Sequence, residues 1–350
     1  MSQSLLTSSV AASPILDRLA RPLGSLRVSV IDRCDLRCAY CMPEEDYAWL
    51  PKANMLTFDE IVTAVDAFVA HGVRRIRITG GEPLLRGNLV ELVARLAERD
   101  GVEDLAMTTN ATQLAKWAGL LREAGLQRVT VSLDSLKPAR FETLTRRSAL
   151  DNVLEGIHEA ARLDFESLKI NTVIMRDFND DEIPDLVTFG RQIGAEMRFI
   201  EYMDVGGATL WSFDRVFSRQ DILERLRKSF GPLTIQDHRG AAPAERVILP
   251  DGTRVGVIAS TTQPFCGSCD RSRLTADGQW FQCLYAQDGI NLRPYLRQGG
   301  ERLSDFIAEV WQGRTDRGAE QRLESPDRGI LYEIEELREN PHREMHTRGG

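Results

Sequence analysis

Six cysteines in this 350-residue chain fall into two groups of three: Cys34, Cys38 and Cys41 as C-x3-C-x2-C, and Cys266, Cys269 and Cys283 as C-x2-C-x13-C. Thiols spaced this closely are expected to ligate an inorganic centre rather than to pack as scattered small hydrophobes. A structural zinc ion takes four ligands, so each triad is one short, and six pooled thiolates suit one zinc no better. An iron-sulfur cluster held by three cysteines keeps one iron open, and an open iron can bind something else.

The elements around the triads say where such centres would sit. Short apolar runs at residues 26–31, 74–79, 104–108, 128–133, 169–174 and 197–200 read as strands. Amphipathic stretches at 58–70, 89–98, 114–123, 139–146, 152–163 and 181–193 read as helices between them. Thr57 and Glu60 have the spacing of a capping box, and Gly72 closes the helix that follows. The alternation predicts parallel strands with helical crossovers, either an open doubly wound sheet or an incomplete barrel. The first triad, Gly80-Gly81-Glu82-Pro83, Asn110, Asp134, Arg176-Asp177 and Met203-Asp204 each follow a strand. Such folds build their active sites at that end of the strands.

Beyond residue 204 a helix at 220–230 begins near Ser218 and ends at Gly231-Pro232, and a hairpin turns at Asp251-Gly252. The second triad follows on turns, then a short helix at 306–311 and a charged, weakly periodic stretch from 314. This divides the chain into an arm (1–24), a core (25–204), a C-terminal domain with the second triad (205–313) and a mostly mobile tail (314–350) that ends in Gly349-Gly350.

With 52 Asp and Glu against 44 Lys and Arg, the net charge is -8. A general nucleic-acid or anionic-membrane surface is therefore disfavoured, although a local basic pocket is not. Asp17 and Arg18 interrupt the only early apolar run, so no signal peptide is expected, and no stretch is long enough to span a membrane. A cytoplasmic protein is the expectation, a setting in which cysteines serve as ligands more often than as disulfides.

The triad with Tyr40 beside its last cysteine, together with Gly-Gly-Glu-Pro after the second strand, resembles the radical S-adenosylmethionine superfamily. Residues 26–34, 77–84 and 198–203, the second triad and the terminal Gly-Gly are similar to the GTP 3′,8-cyclase family of molybdenum cofactor biosynthesis. The resemblance implies an incomplete six-stranded (β/α) barrel with a C-terminal cap carrying a second cluster. It implies two [4Fe-4S] clusters, the first on Cys34, Cys38 and Cys41 with S-adenosyl-L-methionine at its open iron, the second on Cys266, Cys269 and Cys283 facing the guanine. The cofactor's 5′-deoxyadenosyl radical would take the C3′ hydrogen of GTP, and C3′ would then bond to C8.

The same resemblance assigns Tyr40, Gly81, Ser132 and Met203 to the cofactor, and Arg27, Arg77, Thr108, Lys169, Arg271 and Arg273 to GTP, with Arg198 as a further candidate. Paired glycines after a strand are by default a turn, and one exposed basic residue proves nothing, but charge on the inner face of a barrel is costly unless it meets an anion. No side chain is expected to act as acid or base. The resemblance also implies a one-electron reductant such as flavodoxin or ferredoxin, hand-over to the cyclic pyranopterin monophosphate synthase and assembly as a homodimer. This chain departs from the family in having Arg348 where an aliphatic residue precedes the last glycines, and Ala111 where a glycine is expected. His71, His158, His238, His342 and His346 read as structural or solvated. Two alternatives stay open: a radical enzyme acting on a peptide or another small molecule, and a non-catalytic metal module, either a two-zinc protein or an electron carrier.

Overall fold

The structure, a computed structural model, describes residues 14–236, 240–298 and 300–349. His238 and Gly350 lie outside the described residues, as does most of the expected N-terminal arm. Strands β1 (Ser25–Ser29), β2 (Arg75–Thr79), β3 (Asp104–Thr109), β4 (Arg128–Ser132), β5 (Ser167–Ile174) and β6 (Glu196–Glu201) run parallel and in sequence order. Between them lie α1 (Phe58–Val69), α2 (Leu89–Ala97), α3 (Leu114–Glu123), α4 (Pro138–Thr145) with α5 (Leu150–Arg162), and α6 (Ile183–Ile193). These are the expected elements, with ends moved by a few residues. Thr57 and Glu60 form the capping box that starts α1, a local contribution of about 1 kcal/mol.

Side-chain alternation sorts the strands into two faces. In β5, Leu168, Ile170, Thr172 and Ile174 are buried, whereas Lys169, Asn171 and Val173 alternate with them on the opposite face. The same holds for β1, where Leu26 and Val28 flank Arg27, and for β2, where Ile76 and Ile78 flank Arg77. One face of the sheet belongs to the apolar core, and the other keeps polar and basic side chains.

The later part of the chain differs from the expected separate cap in that its strands join this sheet. After α7 (Arg219–Phe230), which starts at Ser218 and ends at Gly231, come β7 (Thr234–Gln236), β8 (Glu245–Ile248) and β9 (Arg254–Ile258). Then follow β10 (Arg271–Leu274), β11 (Gln279–Phe281) and β12 (Ile290–Asn291). Strand β9 lies parallel beside β6 and β10 parallel beside β1, so the expected six parallel strands become eight, with an antiparallel pair outside each edge. Such pairings close between residues far apart in sequence and leave no local mark.

Helices α8 (Arg293–Leu296) and α9 (Glu301–Gln312) follow, and Trp311 of α9 is fully buried, its indole N–H donating to the Arg21 carbonyl. The tail also differs from the expectation of a mostly mobile segment. It forms α10 (Gly318–Glu324), α11 (Ile334–Glu339) and α12 (Met345–Arg348), and His346, Thr347 and Arg348 are buried. Its ties are ionic as well as apolar: Asp204, fully buried, accepts from Arg322 and Arg328, while Tyr332 and Leu337 are buried and Ile330, Leu331 and Met345 pack against an apolar cluster that includes Tyr202 and Trp211. Ala111 takes a left-handed backbone with φ of 64°, the conformation that makes glycine the expected residue there. No helix among the described residues is long and apolar enough to cross a membrane.

Candidate active site

The inner faces of the strands border one cavity of about 720 Å³. Arg27, Arg77, Thr108, Lys169, Arg271 and Arg273 all line it, as do Tyr40, Ser132 and Met203. Gly81 does not. It and Gly80 pack against the segment leading into the first triad, where a Cβ on either would overlap the backbone of Ile31 or Arg33.

Strand register explains how the basic residues meet. Arg27 is level with Arg273 on one side and with Arg77 on the other, so three guanidiniums stand in one row across β10, β1 and β2. Farther round, Thr108, Thr130 and Lys169 form a second row across β3, β4 and β5, and Ser132, Asn171 and Arg198 a third across β4, β5 and β6. Gly256 on β9 leaves room for the Arg198 stem, which a Cβ would meet at 2.9 Å.

The electrostatics match the crowding. Arg27 lies deep but keeps part of its surface on the cavity, and burial followed by Arg273 and Arg77 pushes its guanidinium well below the usual range. Arg77 and Arg273 are pushed down to about 10, chiefly by burial, with Arg198 and Arg271 respectively adding repulsion. Burial and Arg198 bring Lys169 down to about 8. Charges held together at this cost call for a multiply charged anion between them.

All six cysteines are free thiols. In the first triad, burial and nearby Glu82 push Cys34 up to about 12, and burial raises Cys38 and Cys41 as well. Asn110 Nδ2 reaches Cys34 Sγ at 3.6 Å and also donates to Asp35 at 2.7 Å. Glu82 accepts from the Asn110 and Leu84 amides and the Thr109 hydroxyl, fixing the Gly-Gly-Glu-Pro turn below the triad. Tyr40 donates to Asp134 at 2.8 Å, and the same carboxylate takes the Val173 amide.

In the second triad, burial would raise Cys269, but Arg271, whose Nη2 lies 3.4 Å from the sulfur, helps bring it down to about 7. Burial pushes Cys283 up to about 11. Amides at the start of α10 point to this triad: Ala319 and Glu320 to Cys266, Gly318 to Cys283. Arg21 donates to the Cys266 carbonyl at 3.1 Å and Arg314 to the Cys269 carbonyl at 3.0 Å. Among the described residues no three His, Cys, Asp or Glu groups converge as ligands to a single metal ion. Three thiols on one loop in the first triad, and three brought together from the turn before β10 and the segment after β11 in the second, fit a cysteine-ligated iron-sulfur cluster, whose ligands need not meet at one atom.

Residues 28–190 match the model of the Radical SAM superfamily, and residues 195–320 that of Molybdenum Cofactor Synthesis C. Over 344 residues the chain is 51% identical to GTP 3′,8-cyclase 3 of Mycobacterium tuberculosis strain CDC 1551, covering 97% of this chain and 91% of that protein. It is 50% identical over 359 residues to GTP 3′,8-cyclase 1 of strain H37Rv, covering all of both, and 42% identical to the GTP 3′,8-cyclase of Xanthomonas campestris pv. campestris strain B100 over 91% of this chain and 96% of that one. The chain belongs to the GTP 3′,8-cyclase family.

As a member of that family it also has the fold expected of the radical S-adenosylmethionine superfamily. Streptococcus suis SuiB bound to S-adenosylmethionine superposes with a TM-score of 0.59 at 15% identity, covering 87% of this chain and 68% of that one, a likeness of fold. For this GTP 3′,8-cyclase family member the structure adds two wall residues that sequence reading passed over, Arg75 and Asn171, and puts Asp134, marked in the sequence only by its place after a strand, on the same wall. Arg75 was visible as Arg75-Ile76-Arg77, a period-two pair on one strand face. Asn171 had the same relation to Lys169, but an amide in a strand carries little signal by itself.

Proposed function

We propose that this chain converts GTP to (8S)-3′,8-cyclo-7,8-dihydroguanosine 5′-triphosphate, an early step of molybdenum cofactor biosynthesis. The observation that carries the reading is the row Arg273, Arg27, Arg77, joined by Lys169 and Arg198, on the wall of a single cavity. A triphosphate supplies the several negative charges that such a row lacks, and arginine's planar fork suits phosphate oxygens.

In this reading Cys34, Cys38 and Cys41 hold one [4Fe-4S] cluster, and Cys266, Cys269 and Cys283 a second. Held at the first triad, S-adenosylmethionine would, on one-electron reduction and loss of methionine, supply a 5′-deoxyadenosyl radical able to take the C3′ hydrogen of GTP; the C3′–C8 bond would then form at the expense of the C8–N7 double bond, with a second electron and a proton completing the dihydroguanine. The chain's own part is aim and shielding. Tyr40, Ser132 and Met203 orient the cofactor from the cavity wall, and Gly81, expected to contact it, serves through the turn that packs on the Arg33 backbone beside the first triad. Arg27, Arg77 and Lys169 hold the triphosphate; Arg271 and Arg273 bring anion and base toward the second triad, and Thr108 adds a hydroxyl. The remaining assignments are a one-electron reductant such as flavodoxin or ferredoxin, hand-over to the cyclic pyranopterin monophosphate synthase, a homodimer, and a place in the cytoplasm.

Anaerobic incubation of reconstituted protein with GTP, S-adenosylmethionine and dithionite tests the reading. Cyclised nucleotide is expected, with iron and sulfide near about eight of each per chain. Release of 5′-deoxyadenosine with no cyclised nucleotide would point instead to a radical enzyme with another substrate.

A further inference from the structure

Arg348 is among the most buried large side chains of the molecule, with about 1% of its surface exposed. A guanidinium so placed is costly unless every donor is engaged. Its Nε donates to the His342 carbonyl at 2.5 Å, Nη1 to the Leu284 carbonyl at 2.6 Å and Nη2 to the Gln287 carbonyl at 3.4 Å. Its Cζ lies over the Phe281 ring, 4.2 Å from the centroid. Phe281, Leu284 and Gln287 all belong to the segment that carries Cys283, so one side chain of the tail is hooked to the loop of the second triad.

The next residue is fixed just as tightly. The Gly349 carbonyl accepts from Arg273 Nη1, and the Arg348 carbonyl lies 3.5 Å from the same nitrogen. Gly349 has φ of 70° and presses on Thr79, the residue before Gly80-Gly81, where a Cβ would overlap the threonine methyl. Three residues upstream, His346 sits edge-on to Tyr47 and Trp49 beyond the first triad, with ring centroids 5.4 and 5.7 Å away. The Met345 amide donates to the Gly206 carbonyl at 3.0 Å. The tail thus crosses from the first triad's loop to the second's and ends on a guanidinium of the anion row.

We propose that Arg348 is a positioning residue that anchors the C-terminal segment to the Cys283 loop and thereby sets the Gly349 carbonyl against Arg273. An aliphatic residue at 348 could fill the space over Phe281 but could not tie the tail to the Leu284 and Gln287 carbonyls. Arg273 is then held by backbone on one side and free to meet an anion on the other. Only the role of Arg273 toward GTP rests on the cyclase reading; the anchor itself does not.

Hydrogen–deuterium exchange of the reconstituted full chain, without GTP, reads the anchor directly. Arg348→Met is expected to lower protection of the amides at 343–349 by about tenfold or more, as fits the loss of hydrogen bonds from a charged donor, and to raise exchange at 281–288 in parallel. Arg348→Lys, which keeps the charge but not the fork, is expected to recover part of both, and it replaces the methionine variant if that one does not accumulate folded. Gly349→Ala leaves the anchor in place and is expected to raise exchange only at the last residues. In turnover, Arg348→Met is expected to raise the ratio of 5′-deoxyadenosine to cyclised nucleotide about tenfold while cofactor cleavage persists. Wild-type protection at 343–349 in the arginine variants, or loss of protection at 281–288 in Gly349→Ala, overturns the proposal. A tail that behaves as expected in a protein that never cyclises GTP would sink the functional reading and leave the anchor standing.

Discussion

Arg27 and Arg77 stand level on adjacent parallel strands, and Arg273 stands level with Arg27 on its other side. Like charges placed directly opposite destabilise a sheet, so this row weakens the empty protein and favours whatever anion enters. Arg27→Met is expected to weaken GTP binding by about tenfold to a hundredfold, the range for losing hydrogen bonds to a charged group. The nucleotide-free protein should melt no lower than wild type. Calorimetric titration and thermal melts check both, and a variant that melts lower yet binds GTP normally would make Arg27 structural.

Lys169 gives the site a pH dependence of definite sign. Its folded value near 8 lies below its ordinary 10.5, so between those values the native chain holds fewer protons than the unfolded one. Its contribution to the stability of the empty protein therefore rises with pH across that window. A bound triphosphate favours the charged amine, so binding takes up a proton there, and affinity should fall about tenfold between pH 7 and pH 9. Lys169→Met should bind more weakly at pH 7 and show a flatter profile, as equilibrium dialysis of GTP across that range would reveal.

The two triads should fail in different ways. Asp35, Glu82 and Asp134 lie close to the first triad's sulfurs with Arg37 on the Cys34 carbonyl, whereas the second has Arg21, Arg271 and Arg314 beside it together with Asp316 and Glu320. Cys38→Ala is expected to abolish release of 5′-deoxyadenosine. Cys269→Ala is expected to abolish cyclised nucleotide while uncoupled release continues. Iron content near about four per chain should accompany each variant, and identical product profiles would require a different division of roles.

Much of this site was legible because its chemistry is carried by spacing. Thiols at fixed intervals, glycines after a strand, arginines at alternate positions of β2 and β10 and the lone Arg27 within apolar β1 each leave a local mark. The pairing of β10 with β1 left none, since two short strands nearly 250 residues apart in sequence carry no shared signal, yet it is this pairing that brings Arg273 beside Arg27. The tail was misread for a related reason. Apolar periodicity is the main signal of folded helix, and residues 314–349 bury isolated apolar side chains such as Tyr332 and Leu337, while Arg314, Arg322, Arg328 and Arg348 reach Asp17, Asp204 and the Leu284 carbonyl in other parts of the chain.

The contact between Tyr40 and Asp134 joins the first triad's loop to the end of β4. Asp134 is buried, and burial lifts its carboxyl to about 6, even with the Tyr40 hydroxyl and Val173 amide donating to it. A folded value above the ordinary 3.8 means that its contribution to stability is present at low pH and lost as pH rises through about 6. Tyr40→Phe removes one donor from this carboxylate, which costs most when the group is ionised. The variant is expected to lose about 2 kcal/mol at pH 8 and less at pH 6, where the carboxyl is half protonated. Denaturant melts of reconstituted protein at the two pH values measure the difference. The aromatic ring itself would remain on the cavity wall, so the KM for S-adenosylmethionine should rise only a few-fold while the rate of cleavage stays within the same range. An equal stability loss at both pH values would mean that the hydroxyl matters to packing and that Asp134 is charged throughout.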